Sequence, residues 1–152
     1  MATKQEWDQR WNSLSDEALQ AVALIRMVEC ANGTIQYAFR GNDKGALSIE
    51  QTREAMALSM GIIKTKTMPD GTKLPEEIHE VMNDMRRLYI DGFKNQNEEA
   101  FEEFMVASIA NVKAMGRARL DAAERYVREN FTDVFTESYI TYGRYYLDNL
   151  VA

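Results

Sequence analysis

The chain has 152 residues, 45% hydrophobic and 28% charged, the balance of a globular protein about one domain in size rather than a disordered one. Eighteen Lys and Arg against twenty-four Asp and Glu leave a net charge of −6, which argues against broad, sequence-independent nucleic-acid binding. Two prolines and eight glycines are too few for a β-sandwich of many tight turns, and the single Cys30 and single His79 exclude an intramolecular disulfide, a multi-cysteine zinc site and any centre needing two imidazoles.

The N-terminus, Met1-Ala2-Thr3-Lys4-Gln5-Glu6-Trp7-Asp8, is charged and lacks the apolar core of a secretory signal. The longest apolar stretch, 18–28, is broken by Gln20 and Arg26 and is too short to span a bilayer. A cytoplasmic protein without a membrane partner is therefore expected. Neither a glycine-rich phosphate loop nor a G-x-S-x-G nucleophile elbow occurs, and no residue stands out as catalytic.

Periodicity and stop signals predict an all-α bundle of about five helices. The first covers 16–31, with Ser13 and Asp16 as a capping-box-like start and Asn32-Gly33 as its exit. Its apolar residues lie on every side, so it must be buried in the domain or in a subunit contact. Residues 35–39 fit a short strand. A second helix starts at Ser48 and stops before Gly61. Residues 62–74 flank Met68-Pro69-Asp70-Gly71, a turn former, and fit a small β-hairpin or an exposed loop.

Pro75, followed by Glu76 and Glu77, opens a third helix that ends near Gly92. Asn97 caps a fourth, predicted to run from 98 to 130. At 1.5 Å per residue it would be ~50 Å long, more than the width of a domain this size, so it must kink at Gly116 or reach a partner. A fifth helix runs from about 133 to the C-terminus. The whole chain reads as one domain.

Three sets of residues bear on function. Arg119 falls inside the apolar stripe of the fourth helix, and Arg26 sits on the broadly apolar first. A guanidinium keeps its charge and needs an anion or carbonyls when buried, so both fit either a small anionic, phosphate-bearing ligand or an internal ion pair. On the fifth helix Phe135, Tyr139, Tyr142, Tyr145 and Tyr146 line one side, while Ile140, Leu147 and Val151 line the other. Two apolar faces imply two contacts, which makes Phe135, Tyr139 and Tyr146 candidates for an oligomer interface and Tyr142 a candidate to stack on a ligand ring.

Glu76-Glu77-x-x-Glu80 and Glu98-Glu99-x-x-Glu102-Glu103 form the third set. They resemble the E-x-x-E…E-x-x-D pattern of the all-α nucleotide pyrophosphatases, over about thirty residues and with Glu102 in place of the expected aspartate. The resemblance implies magnesium held by Glu77, Glu80, Glu99 and Glu102, and a metal-dependent pyrophosphohydrolase. At ~100° per residue, however, Glu80 lies opposite the apolar stripe of its helix and faces water. Ala55, Gly61 and residues 62–66 offer a helix-turn-helix DNA-binding protein as a further alternative, with the glycine misplaced for that motif. The reading that uses most of the sequence is a non-catalytic helical protein that self-associates and binds a protein or a small anion, with no cofactor.

Overall fold

The computed structural model describes residues 1–31, 61–130 and 137–151. The architecture is an all-α bundle, as expected. Among the described residues its helices are α1 (Lys4–Asn12), α2 (Asp16–Ala31), α3 (His79–Tyr89), α4 (Glu98–Asn130) and α5 (Glu137–Val151). A 3-10 turn (Glu76–Ile78) leads into α3 and a π-helical turn (Ile90–Lys94) leads out of it. None of the described helices is long and apolar enough to cross a membrane.

Helix α1 was not anticipated, yet its signals are local. Thr3 accepts from the Glu6 backbone N–H at 3.2 Å while the Glu6 carboxylate accepts from the Thr3 N–H, a closed capping box. Trp7 and Trp11, one turn apart, are buried and stack, and Trp11 Nε1 donates to the Ala107 carbonyl at 3.0 Å. Two indoles on one face thus pin a charged helix to α4.

Helix α2 keeps its predicted bounds, but Ser15 rather than Ser13 caps it, its hydroxyl accepting from Ala18 N at 3.2 Å. Leu19, Val22, Ile25, Met27, Val28 and Cys30 are all buried, because α2 lies between α4 and α5. Its all-round apolar surface is therefore covered inside the bundle.

The small hairpin expected over 62–74 shrinks to one antiparallel bridge, Thr67 to Lys73. Residues 61–65 are helical, so Gly61 does not end a helix. The loop is instead fixed from outside: Tyr126 Oη donates to Asp70 at 2.6 Å, which holds the Asp70 carboxyl below its ordinary range. The expected strand at 35–39 and the helix from Ser48 lie outside the described residues.

Gly92 and Asn97 turn the chain from α3 into α4. A Cβ at Gly92 would lie 2.8 Å from Phe101 Cα, so only glycine lets the two segments touch there. Asn97 Oδ1 then accepts from Ala100 N at 3.0 Å, the cap predicted for α4.

Helix α4 breaks where the sequence placed its weakness. Gly116 has φ 74° and ψ 165°, outside the helical region and accessible essentially to glycine alone. Arg119 Nη1 donates to the Met115 carbonyl at 3.0 Å and Gln20 Nε2 to the Arg119 carbonyl at 3.1 Å, so side chains brace the kink. A Cβ at Gly116 would meet no atom, so Gly116→Ala is penalised by backbone strain alone. We expect it to cost about 1–3 kcal/mol, read as a lower urea midpoint. An unchanged or higher midpoint would mean that the kink is not held by this residue.

Candidate functional site

Helix α5 presents two different faces. Ile140, Gly143 and Leu147, spaced at three and four residues, are buried. Gly143 lies directly on α2: a Cβ there would be 2.4 Å from Cys30 Cβ and 2.9 Å from Cys30 Cα. Cys30 is itself fully enclosed, and burial pushes its thiol well above the usual range, so it is no nucleophile. Arg144 clamps α5 onto α4. Its side chain is 13% exposed and meets Asp121 at 2.6 Å, Glu124 at 3.4 Å and Asp148 at 2.9 Å. Arg125 stands four residues after Asp121, the spacing of an intrahelical ion pair, but Asp121 meets Arg144 instead.

Outward from this anchor lie Thr141, Tyr142, Tyr145 and Asn149, all exposed and within one sector of about 100°. None of the four carries a formal charge. Tyr142 is 54% exposed and Tyr145 63%. Tyr145 packs its ring edge-on to Tyr146 at 5.8 Å, and Tyr146 is half-buried against the core. Of the other predicted interface residues, Phe135 and the side chain of Tyr139 lie outside the described residues.

Among the described residues, the two arginines and Tyr142 share no hydrogen-bonding partner. Arg119 Nη2 meets Asp16 at 2.7 Å, in addition to its bond to Met115, and so ties the kink of α4 to the first turn of α2. Arg26 is deeper, 6% exposed. Its Nη1 meets Glu29 at 3.0 Å and its Nε donates to Asn111 Oδ1 at 2.8 Å, linking α2 to the middle of α4. Burial pushes the Glu29 carboxyl above its usual range, against the pull of Arg26. The sequence raised Arg26 by its position on a greasy helix; its partners, Glu29 three residues on and Asn111 on another helix, went unnoticed.

The four candidate metal ligands are not gathered. Glu77 accepts from the Ser15 backbone N–H at 2.8 Å and from its hydroxyl at 2.7 Å, which lowers its pKa. Glu77 and Glu80 border a shallow cleft of about 270 Å³ with Arg10, Ser13 and Asp84, where Arg10 already pairs with Asp84 at 2.6 Å. Glu99 and Glu102 are exposed on the first turns of α4. Among the described residues, no group of three or more His, Cys, Asp or Glu could hold a metal ion. His79 bonds the Leu74 carbonyl at 3.3 Å, a structural contact. Gly61, which a helix-turn-helix would need in its turn, is helical.

No protein-family model matches the chain, and no curated protein and no solved structure matches it.

Proposed function

We propose that this is a non-catalytic helical protein of the cytoplasm that associates with a second copy of itself through the outer face of α5. One observation carries the reading: Tyr142 and Tyr145 expose 54% and 63% of their surface in an uncharged sector of a chain whose net charge is −6. Depletion of charge together with enrichment in tyrosine marks the centre of protein interfaces. An uncharged face also lets two acidic copies meet without like charges opposed, and a two-fold pairing is the commonest way for one patch to cover itself. The rigid anchoring of the inner face by Gly143 and Arg144 favours the same reading, since a preorganised helix loses little entropy on docking.

Light scattering of the purified chain at micromolar concentration should give a multiple of 17.5 kDa. Replacing both tyrosines, Tyr142→Ala with Tyr145→Ala, should return it to the monomer mass. Hot-spot aromatics contribute about 2 kcal/mol or more each, so the pair should weaken association by well over tenfold. A wild-type chain that stays at 17.5 kDa overturns the proposal. So does a double variant that associates as tightly as wild type.

A further inference from the structure

The interior between α2 and α4 holds polar atoms whose hydrogen-bonding capacity is unspent. Arg26, Glu29, Asn111 and Ser108 are 0–6% exposed, and among them Arg26 Nη2, Asn111 Nδ2 and Ser108 Oγ have no partner among the described residues. Arg26 Nη2 shares its Cζ with Nε, and Asn111 Nδ2 shares its Cγ with Oδ1, the two atoms that join the side chains at 2.8 Å. Ser108 stands one turn before Asn111 on the same face of α4. The two nitrogens are obligate donors and the hydroxyl can donate, so the cluster calls for a guest that accepts and does not donate. Leaving such groups unmet in a core is costly, and native interiors rarely do so.

We infer that Arg26, Asn111 and Ser108 form an internal binding site for a small inorganic anion of chloride size. Water fits the donors less well, because its oxygen accepts two hydrogen bonds and would leave one of the three donors unmet. A carboxylate or phosphate carried on an organic body is disfavoured by the burial of all four side chains, which leaves no opening for that body. The nearby Glu29 disfavours a doubly charged guest, since it already occupies the other side of the Arg26 guanidinium at 3.0 Å. A bound anion of this kind would strap α2 to α4 without any change in the surface of the molecule.

The test is the thermal midpoint of the full chain in sodium chloride, with sodium gluconate balancing ionic strength. A ligand that binds only the folded state raises the midpoint with its concentration, by about 3–6 °C at a tenfold excess over Kd for a chain of this size. Asn111→Asp keeps an oxygen for Arg26 and removes both amide donors, and it should abolish the chloride response. Ser108→Ala, which removes one donor from a fully buried site, should weaken it severalfold. If Asn111→Asp does not fold, bromide soaked into crystals of the wild-type chain should give an anomalous peak within hydrogen-bond distance of Arg26 Nη2 and Asn111 Nδ2. Identical midpoints in chloride and gluconate, a chloride response unchanged by Asn111→Asp, or a water at that position in bromide-soaked crystals would each overturn the assignment.

Discussion

Gly143→Ala should destabilise the protein by about 3 kcal/mol, the upper end of what inserting one methyl into a packed core usually costs. The added Cβ would stand 2.4 Å from Cys30 Cβ, 2.7 Å from Cys30 Sγ and 2.9 Å from Cys30 Cα. A flexible side-chain end could swing away from such a contact, but a Cα moves only with its helix. Helices α2 and α5 would therefore have to part, dragging Ile140 and Leu147 from the core and stretching Arg144 from Asp121 and Glu124 on α4. A partly compensating change is Cys30→Gly, which removes the Cβ and Sγ contacts, though not the Cα at 2.9 Å, at a cost of about 1 kcal/mol in helix propensity. The double variant should be more stable than Gly143→Ala alone by urea denaturation. A Gly143→Ala protein with an unchanged midpoint would mean that α2 and α5 are not in contact at this point. The same variant bears on association, because a displaced α5 no longer holds Tyr142 and Tyr145 in a fixed pose.

That close crossing was invisible in the sequence, and the reason is physical. A glycine inside a helix reads as a weak spot or a stop, and nothing local distinguishes one that admits a neighbouring backbone from one that merely costs propensity. Gly143 is such an admitting glycine. Gly116 was legible because a helix of ~50 Å must bend somewhere and glycine is where bending costs least. The bounds of α2 and the Asn97 cap were legible for a similar reason, since capping chemistry acts over three or four residues of sequence. Helix α1 carried the same kind of signal, Thr3 to Glu6 with indoles at 7 and 11, but its charged background masked it. Residues 62–65 went the other way: β-branched residues before a Pro-Asp-Gly turn suggest a strand, and tertiary context made them helical.

The side-chain chemistry was less legible than the fold. Arg119 and Arg26 both stood out as charges on apolar stripes, yet one braces a kink and meets an exposed Asp16 while the other is enclosed with Glu29. Only long-range contacts separate the two cases. Arg144 did not stand out at all, sitting between tyrosines with Asp148 four residues on, although its partners Asp121 and Glu124 bind two helices together. A pairing pattern read along one helix cannot detect a rival from another. The exposure of Tyr142 likewise depends on where Gly143 touches Cys30, a fact about two segments more than a hundred residues apart.

The enclosed pair gives the second large effect. Glu29→Leu should cost about 3–5 kcal/mol, because it removes the carboxylate that meets Arg26 at 3.0 Å and leaves the buried guanidinium with Asn111 Oδ1 as its one other protein acceptor among the described residues. Set against a total stability of about 5–15 kcal/mol for a domain, that loss approaches unfolding at 37 °C. Removing the whole group, Arg26→Met with Glu29→Leu and Asn111→Leu, should be far milder or even stabilising, since no charge or amide then has to leave water. Wild type should also show a pH signature that this triple variant lacks. Burial raises the Glu29 carboxyl above its ordinary 4.5, so in the window between that value and the folded one the folded state binds more of a proton than the unfolded chain does. Stability from this group is complete below that ordinary value and falls as pH rises through the folded one. Urea midpoints measured across that window should decline in wild type relative to the triple variant. A parallel course in the two proteins, or a Glu29→Leu chain as stable as wild type, would mean that Arg26 finds its counter-charge elsewhere.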